Sequence, residues 1–404
     1  MRISSSTIYD ANVAALNQQQ SKMLHTQQQI TSGRRILTPA DDPIAAARAL
    51  EVAQADATNT QYASNRNAAL HSTAMAEGVL QSVTSLLQDV KTLAVYAGNS
   101  VLTASDKRSL ATELSGRLDE LLALANSTDG TGNYLFSGFQ GRMQPFTNGA
   151  MSVQYMADDG QRMIQVSNSR QLAASDSGAD IFMRIKNGNG VFSVQAGAGN
   201  AGNGLLSQGV VTNPALINGD TYQLSFSVAA GVTTYNITNT TTGTPYSVGN
   251  PYVSGQPINF QGMQFDIQGA PANGDVFTAA PSSNESLFKT ISNLISALNQ
   301  PNVLGGATAA AQFNNSVGQA LNNLDRGLDN VLTVRASLGT RLRELESLQA
   351  TGEDLGLQYK QTLSQLQDVD FNQAISDLTQ QQIGLQAAQK SFLKVSELSL
   401  FNYI

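Results

Sequence analysis

The residues of this chain whose types and spacing could do chemistry are few. "GAGNAG", residues 197–202, fits G-x-G-x-x-G. In a dinucleotide site that pattern follows a strand and opens a helix whose N-terminus holds the pyrophosphate. A short strand pattern, "VFSVQ", does precede it, but only "NGLLSQGVVTNP" follows, with no helical period, so a flexible loop is expected. His25 and His71 are the only histidines, and neither has a second histidine four residues away to complete a helical metal pair. Asp158, Asp159, Asp176 and Asp180 could supply paired carboxylates for glycoside hydrolysis. They lie in turn-rich sequence, where aspartates commonly bond their own backbone, and the structural reading is preferred. No serine sits in a nucleophile elbow. No catalytic, cofactor or metal site is expected.

Composition narrows the classes further. The 404 residues are 41% hydrophobic and only 13% charged, where about a quarter is usual. Gln, Asn, Ser, Thr and Ala fill the gap, which suits surfaces that meet other protein. A net charge of -7 argues against a nucleic-acid binder. There are no cysteines, hence no disulfides and no thiolate sites. The opening "MRISSSTIYDANVAAL" lacks the apolar run of a signal peptide, and no later stretch is long and apolar enough to span a membrane. Any export is expected to proceed without a cleaved leader.

The elements that would have to position a site fall in the order helix, strand, helix. Leu16, Met23 and Ile30 repeat at seven, with Val13, Gln20 and Gln27 in the interleaved seam positions. Near the other end Phe371, Leu378, Leu385 and Phe392 repeat at seven, interleaved with Ile375, Gln382 and Gln389. Polar residues in a heptad seam cost stability while fixing register, so the two ends are expected to pair with each other or with neighbouring copies. A helix over 43–98 carries Ile44, Leu50, Val79, Leu80, Val83, Leu86, Leu87, Val90 and Leu93, and would be about 80 Å long if continuous. "GNSVLTASD" breaks it, and Ser105 or Asp106 is expected to cap the next helix. A partner helix runs from Val317 to Leu348, "ATGEDLG" loosens the pattern, and Leu355, Tyr359, Leu363 and Leu366 resume it. Between these halves "SVQYM", "RMIQV", "TYQLSFSV", "TYNIT" and "MQFDI" alternate as strands do, separated by turns such as "NGNG" and "TTGTP". The expected fold class is α+β: a long helical coiled-coil and rod bundle formed by both chain ends, with an inserted β-rich domain. The expected division is 1–40 plus 366–404, 41–140 plus 283–365, and 141–282.

The break "SGRRILTPADDP", residues 32–43, joins the first two helices. Gly33 suits a helix C-cap, and Arg34 and Arg35 suit the negative end of a helix dipole. Asp42 can cap the next helix with Pro43 in its first turn, where no amide hydrogen bond is lost.

The chain resembles the flagellin family. "ITSGRRILTPADDPIAAARALEV" looks like the family's passage from innermost terminal helix to rod domain, and "LAVYAGNSVLTASDKRSLATELSGRLDEL" looks like the segment that follows. "DVDFNQAISDLTQQQIGLQAAQKSFLKVSELSLFNYI" resembles the family's tail. Within the family, "DDP", "GNYLFSG" (132–138), "NGDVFTAAP" (273–281) and the ending "SLFNYI" resemble hook–filament junction members more than filament flagellins. The resemblance implies a structural, non-enzymatic flagellar component without a cofactor. It would be exported unfolded through the flagellar type III channel. The implied partners are further copies in a ring, the first hook-associated protein, flagellin and an export chaperone. Leu16, Met23, Ile30, Phe371, Ile375, Leu378, Leu385 and Phe392 are the expected assembly contacts. Gly33, Asp42 and Pro43 would mark the joint between terminal and rod regions. A filament flagellin, or an adhesin or glycan binder mounted on a rod, are the alternative readings.

Overall fold

A computed structural model describes residues 5–149, 152–300 and 306–397. The terminal "SLFNYI" lies outside the described residues. Six α-helices are present among them: α1 (Ser5–Ser32), α2 (Pro43–Ala97), α3 (Ala104–Ala125), α4 (Leu287–Leu298), α5 (Gly306–Gln367) and α6 (Phe371–Glu397). The chain divides into two units. One is Met1–Ser64 with Ser347–Ile404, and the other is Asn65–Glu346, which holds the β-rich segment and the helices around it.

In the second unit, Leu80, Val83, Leu87 and Val90 of α2 are buried with Leu114 and Leu121 of α3 and with Val317, Leu324 and Val331 of α5. The i, i+3, i+7 spacing of these residues gives each helix one apolar stripe for a shared core. α4 is not among the elements expected above, although Leu287, Phe288, Ile291, Leu294 and Leu298 form such a stripe and are all buried. Ser286 caps it by accepting from the Lys289 amide at 3.1 Å. Phe288 joins Phe136, Phe146 and Phe182 in an aromatic cluster. Phe146 lies 5.3 Å from Phe288 and 5.4 Å from Phe182 between ring centroids. "GNYLFSG" therefore delivers Leu135 and Phe136 to the helical core.

Three helix details differ from the expectations. The cap of α3 is Thr103, not Ser105 or Asp106. Its hydroxyl accepts from the Asp106 amide while the Asp106 carboxylate accepts from the Thr103 amide, a reciprocal capping box. α5 continues through "ATGEDLG", because each of its two glycines, Gly352 and Gly356, costs a helix only about 1 kcal/mol. Ile44 and Leu50 are 80% and 71% exposed; the buried face there is Ala45 and Ala49.

The β-rich segment builds its own core. Its main sheet contains β1 (Phe192–Ala196), β2 (Tyr222–Ala229), β3 (Val232–Asn239), β4 (Thr244–Pro251) and β5 (Val276–Pro281), in the antiparallel order β4-β3-β2-β5-β1. Alternation in β2 buries Tyr222, Leu224 and Phe226. A three-stranded sheet of 210–211, 258–260 and 263–265 adds Ile258, Phe260, Met263 and Phe265 to the same cluster. Ala230 and Gly231 close the β2–β3 hairpin with positive φ, as a tight two-residue turn requires.

Candidate assembly interface

The aspartates and the glycine-rich loop considered for chemistry all make bonds within the chain. Asp158 accepts from the amides of Phe139, Gln140 and Gly160. The Phe139 amide is the leading cause that holds its carboxyl below the ordinary value. It thereby pins the "GNYLFSG" turn, where Gly138 has φ +65° and no room for a Cβ beside Asp158. Asp159 and Asp180 both pair with Arg184. Asp176 takes a two-point contact from Arg341 at 3.0 Å, each side chain only 13% exposed. "GAGNAG" does cradle an anion, but one from its own chain. The amides of Ala201 and Gly202 donate to the buried carboxylate of Asp275 at 2.7 and 3.0 Å. His71 is exposed, and His25 bonds Asp41 at 3.1 Å. Among the described residues no three metal-ligating side chains cluster.

The residues left with a collective role lie on α1 and α6. These helices pair antiparallel: Tyr9 packs tilted against Phe392 with ring centroids 5.2 Å apart, Gln19 lies over Gly384, and Gln381 donates to the Thr26 hydroxyl at 3.1 Å. Leu16, Met23 and Ile30 are half-buried on α1, as are Leu378, Leu385 and Phe392 on α6. Phe371 and Ile375 are 51% and 53% exposed.

Of the interleaved positions, Val13 is half-buried but the others fall elsewhere than the sequence suggested. Gln20, Gln27, Ile375, Gln382 and Gln389 face outward. Gln19 and Thr26 on α1, and Ala374, Gln381 and Ala388 on α6, take the inner places. Both frames keep the heptad spacing of the large apolar residues, so spacing alone does not choose between them. The chosen frame is narrow and partly polar. Gln381 Oε1 is buried without a hydrogen-bond partner among the described residues, and such an orphan acceptor weakens a seam. Meanwhile Tyr9, Leu24, Phe371, Ile375, Ile383 and Leu393 remain about half or more exposed on the same two helices.

The joint after α1 is tightly made. Gly33 has φ +69°, with the Phe371 ring 3.9 Å from where a Cβ would stand. Asp42 Oδ1 accepts from the Ala45 amide at 3.0 Å, and Pro43 is the first residue of α2. The Ala45 amide, then Arg35, lowers the Asp42 pKa. Asp41 holds the turn from inside by accepting from the amides of Leu37 and Thr38. Across the chain, the Arg35 amide donates to Gln367 O at 2.7 Å and the Val369 amide to Gly33 O at 3.0 Å. The breaks α1–α2 and α5–α6 are thus one hydrogen-bonded joint.

The order of these parts along the chain has counterparts in known proteins. Residues 3–141 match the model of the bacterial flagellin N-terminal helical region. The chain is 30% identical over 401 residues to flagellar hook-associated protein 3 of Salmonella typhimurium, covering 99% of each chain. It belongs to the flagellar hook-associated protein 3 family. The crystal structure of flagellar hook-associated protein 3 from Legionella pneumophila is similar at TM-score 0.74 and 31% identity, over 78% of this chain and 98% of that one. A flagellin of Salmonella budapest is 26% identical over 65% of this chain and 56% of its own length. Similarity thus extends end to end for hook-associated protein 3 and only part-way for this flagellin.

Proposed function

We propose that this chain is a structural subunit of the bacterial flagellum that forms the junction layer between hook and filament. The observation that carries the reading is the end-to-end match to hook-associated protein 3, against the partial match to flagellin. In this reading the subunit is non-enzymatic, in keeping with its hook-associated protein 3 relatives. It is exported unfolded, with a chaperone guarding its ends, and adds as a ring to the first hook-associated protein. Flagellin then grows on it.

The α1–α6 pair supports this reading physically. Its seam holds polar residues and an orphan acceptor, while large apolar residues on both helices stay exposed. Such a pair gains burial when neighbouring copies cover it, and ordering on assembly accounts for weak ends in the free chain. In this proposal Leu16, Met23, Ile30, Leu378, Leu385 and Phe392 hold the pair, and Phe371 and Ile375 meet neighbours. The proposed division keeps 1–40 with 366–404 as the assembly region, 41–140 with 283–365 as the helical support, and 141–282 as the outer module.

Deleting the gene and assaying flagellin in the medium and on the cell tests the reading. Hooks that persist while flagellin is shed as monomer are the expected result. Loss of the main filament protein itself would assign the chain to flagellin, and normal filaments would overturn a flagellar junction role.

A further inference from the structure

The β-rich module, with β1 to β5, and the helices of the second unit have separate hydrophobic cores that share no residue. Between them lies a cleft of about 630 Å³ whose walls are uncharged and polar for most of their extent, with Gln195 and Ser207 on the module, Asn293 and Ser296 on α4, and Gln319 and Asn322 on α5. The module touches α5 through a ladder of side chains spaced three or four residues apart. Thr308 donates to Ala201 O at 2.6 Å and Gln312 to Asn200 O at 3.1 Å. Asn315 bonds twice, donating to Gly204 O at 2.9 Å and accepting from the Leu206 amide at 2.8 Å. Gln319 donates to Val194 O at 3.3 Å, and Asn323 accepts from the Gly188 amide at 3.0 Å.

We propose that this ladder is a releasable latch, and that the module undocks from α5 and swings on its neck while both cores stay folded. Neutral hydrogen bonds of this kind are exchanged for bonds to water on opening, so release strips no apolar core. The neck is built to bend at one place. Ile185–Lys186 pairs with Asn284–Glu285, and the Asn187 side chain staples the ribbon to Ser283 at 2.9 and 3.2 Å. Just beyond, Gly188 and Gly190 have φ +62° and +90°; a Cβ on Gly188 would collide with Phe192 O, whereas one on Gly190 meets nothing nearer than Arg326 Cδ at 4.0 Å. A pair of glycines between a stapled ribbon and β1 can absorb a dihedral change that neither neighbour can. The proposal does not depend on the flagellar reading.

Hydrogen exchange on the intact chain tests it. The Leu206 and Gly188 amides, bonded to Asn315 and Asn323, should exchange through undocking. The Phe226 amide, bonded to Asp275 O within the module, needs the module to unfold. Protection at Leu206 and Gly188 at least about 100-fold below that at Phe226 is expected, and equal protection overturns the latch. The absence of cysteine also allows clean spin labels at Val248→Cys on β4 and Leu332→Cys on α5. The label-to-label distance distribution should broaden in Asn315→Ala/Gln319→Ala with unchanged far-UV dichroism, and an unmoved distribution overturns the proposal. Should that double variant fail to fold, the exchange result on the unaltered chain decides alone.

Discussion

Arg35 donates through one guanidinium nitrogen to the main-chain oxygen of Leu366 at 3.0 Å and through the other to the Asp42 carboxylate at 3.3 Å. A residue just after α1 thereby satisfies a carbonyl in the last turn of α5 and also steadies the cap of α2. Its positive charge suits the negative end of α5, a different helix from the one that precedes it in sequence.

That double contact makes Arg35 the keystone of the joint. Arg35→Ala should lower hydrogen-exchange protection about tenfold in segments 30–45 and 364–372. Arg35→Lys should restore little, because a single ammonium cannot reach both partners with the fork of a guanidinium. Protection unchanged in the alanine variant would remove Arg35 from the joint.

The two kinds of apolar residue on α6 should behave differently. Leu385→Asp places a charge in the half-buried seam and should weaken the α1–α6 pair by about 2–3 kcal/mol, read as loss of protease resistance at both ends of the chain. Ile375 is exposed in the free chain, so Ile375→Asp should leave that pair intact yet reduce incorporation into flagella of a deletion strain. Full incorporation of Ile375→Asp would sink its role as a neighbour contact.

Asp129 resists acid longer than an ordinary carboxylate. Burial pulls its pKa upward, but hydrogen bonds from Thr131 and Asn133 outweigh that and hold the carboxyl at about 2, well below the usual carboxylate range. A depressed pKa means stability that is fully present above about pH 4 and lost as pH falls toward 2. Denaturant unfolding of Asp129→Ala should show about 1–2 kcal/mol less stability at pH 7, discounted for partial exposure, with the gap closing near pH 2. A pH-independent gap would mean that the side chain acts by packing alone.

The pair Arg341–Asp176 is the best-shielded ion pair among the described residues. Arg341→Met leaves a shielded carboxylate unpaired and should cost about 3–5 kcal/mol. Adding Asp176→Leu should recover most of that loss, since the orphaned charge is then gone. Additive losses in the double variant would show that the two side chains do not act together.

Local chemistry was readable where a short stretch decides it. Gly33, Asp42 and Pro43 each carry a backbone preference that needs no distant partner, and the alternation of "TYQLSFSV" marked β2. The seam frame was not readable. Between Leu16, Met23 and Ile30 both candidate seam positions are polar, and only the antiparallel fit to α6 turns Gln19 and Thr26 inward in place of Gln20 and Gln27. Ile44 and Leu50 misled for a related reason: where two small alanines suffice for burial, the larger apolar side chains stay outside. The signal for α4 was present, as Leu287, Ile291, Leu294 and Leu298 show, but a strand-rich frame hid it. The partner of "GAGNAG" could not be inferred locally, because Asp275 lies 74 residues beyond Ala201.

The neck has a consequence for how such chains diversify. Its entering and leaving strands run side by side, with the Asn187 amide bonded to Ser283 O at 3.0 Å. Whatever lies between them begins and ends at one spot, so the helices on the inner side impose no length on it. Residues 188–282 are a graftable cassette: a shorter turn, a larger domain or a foreign epitope could be spliced there with the same two anchor points.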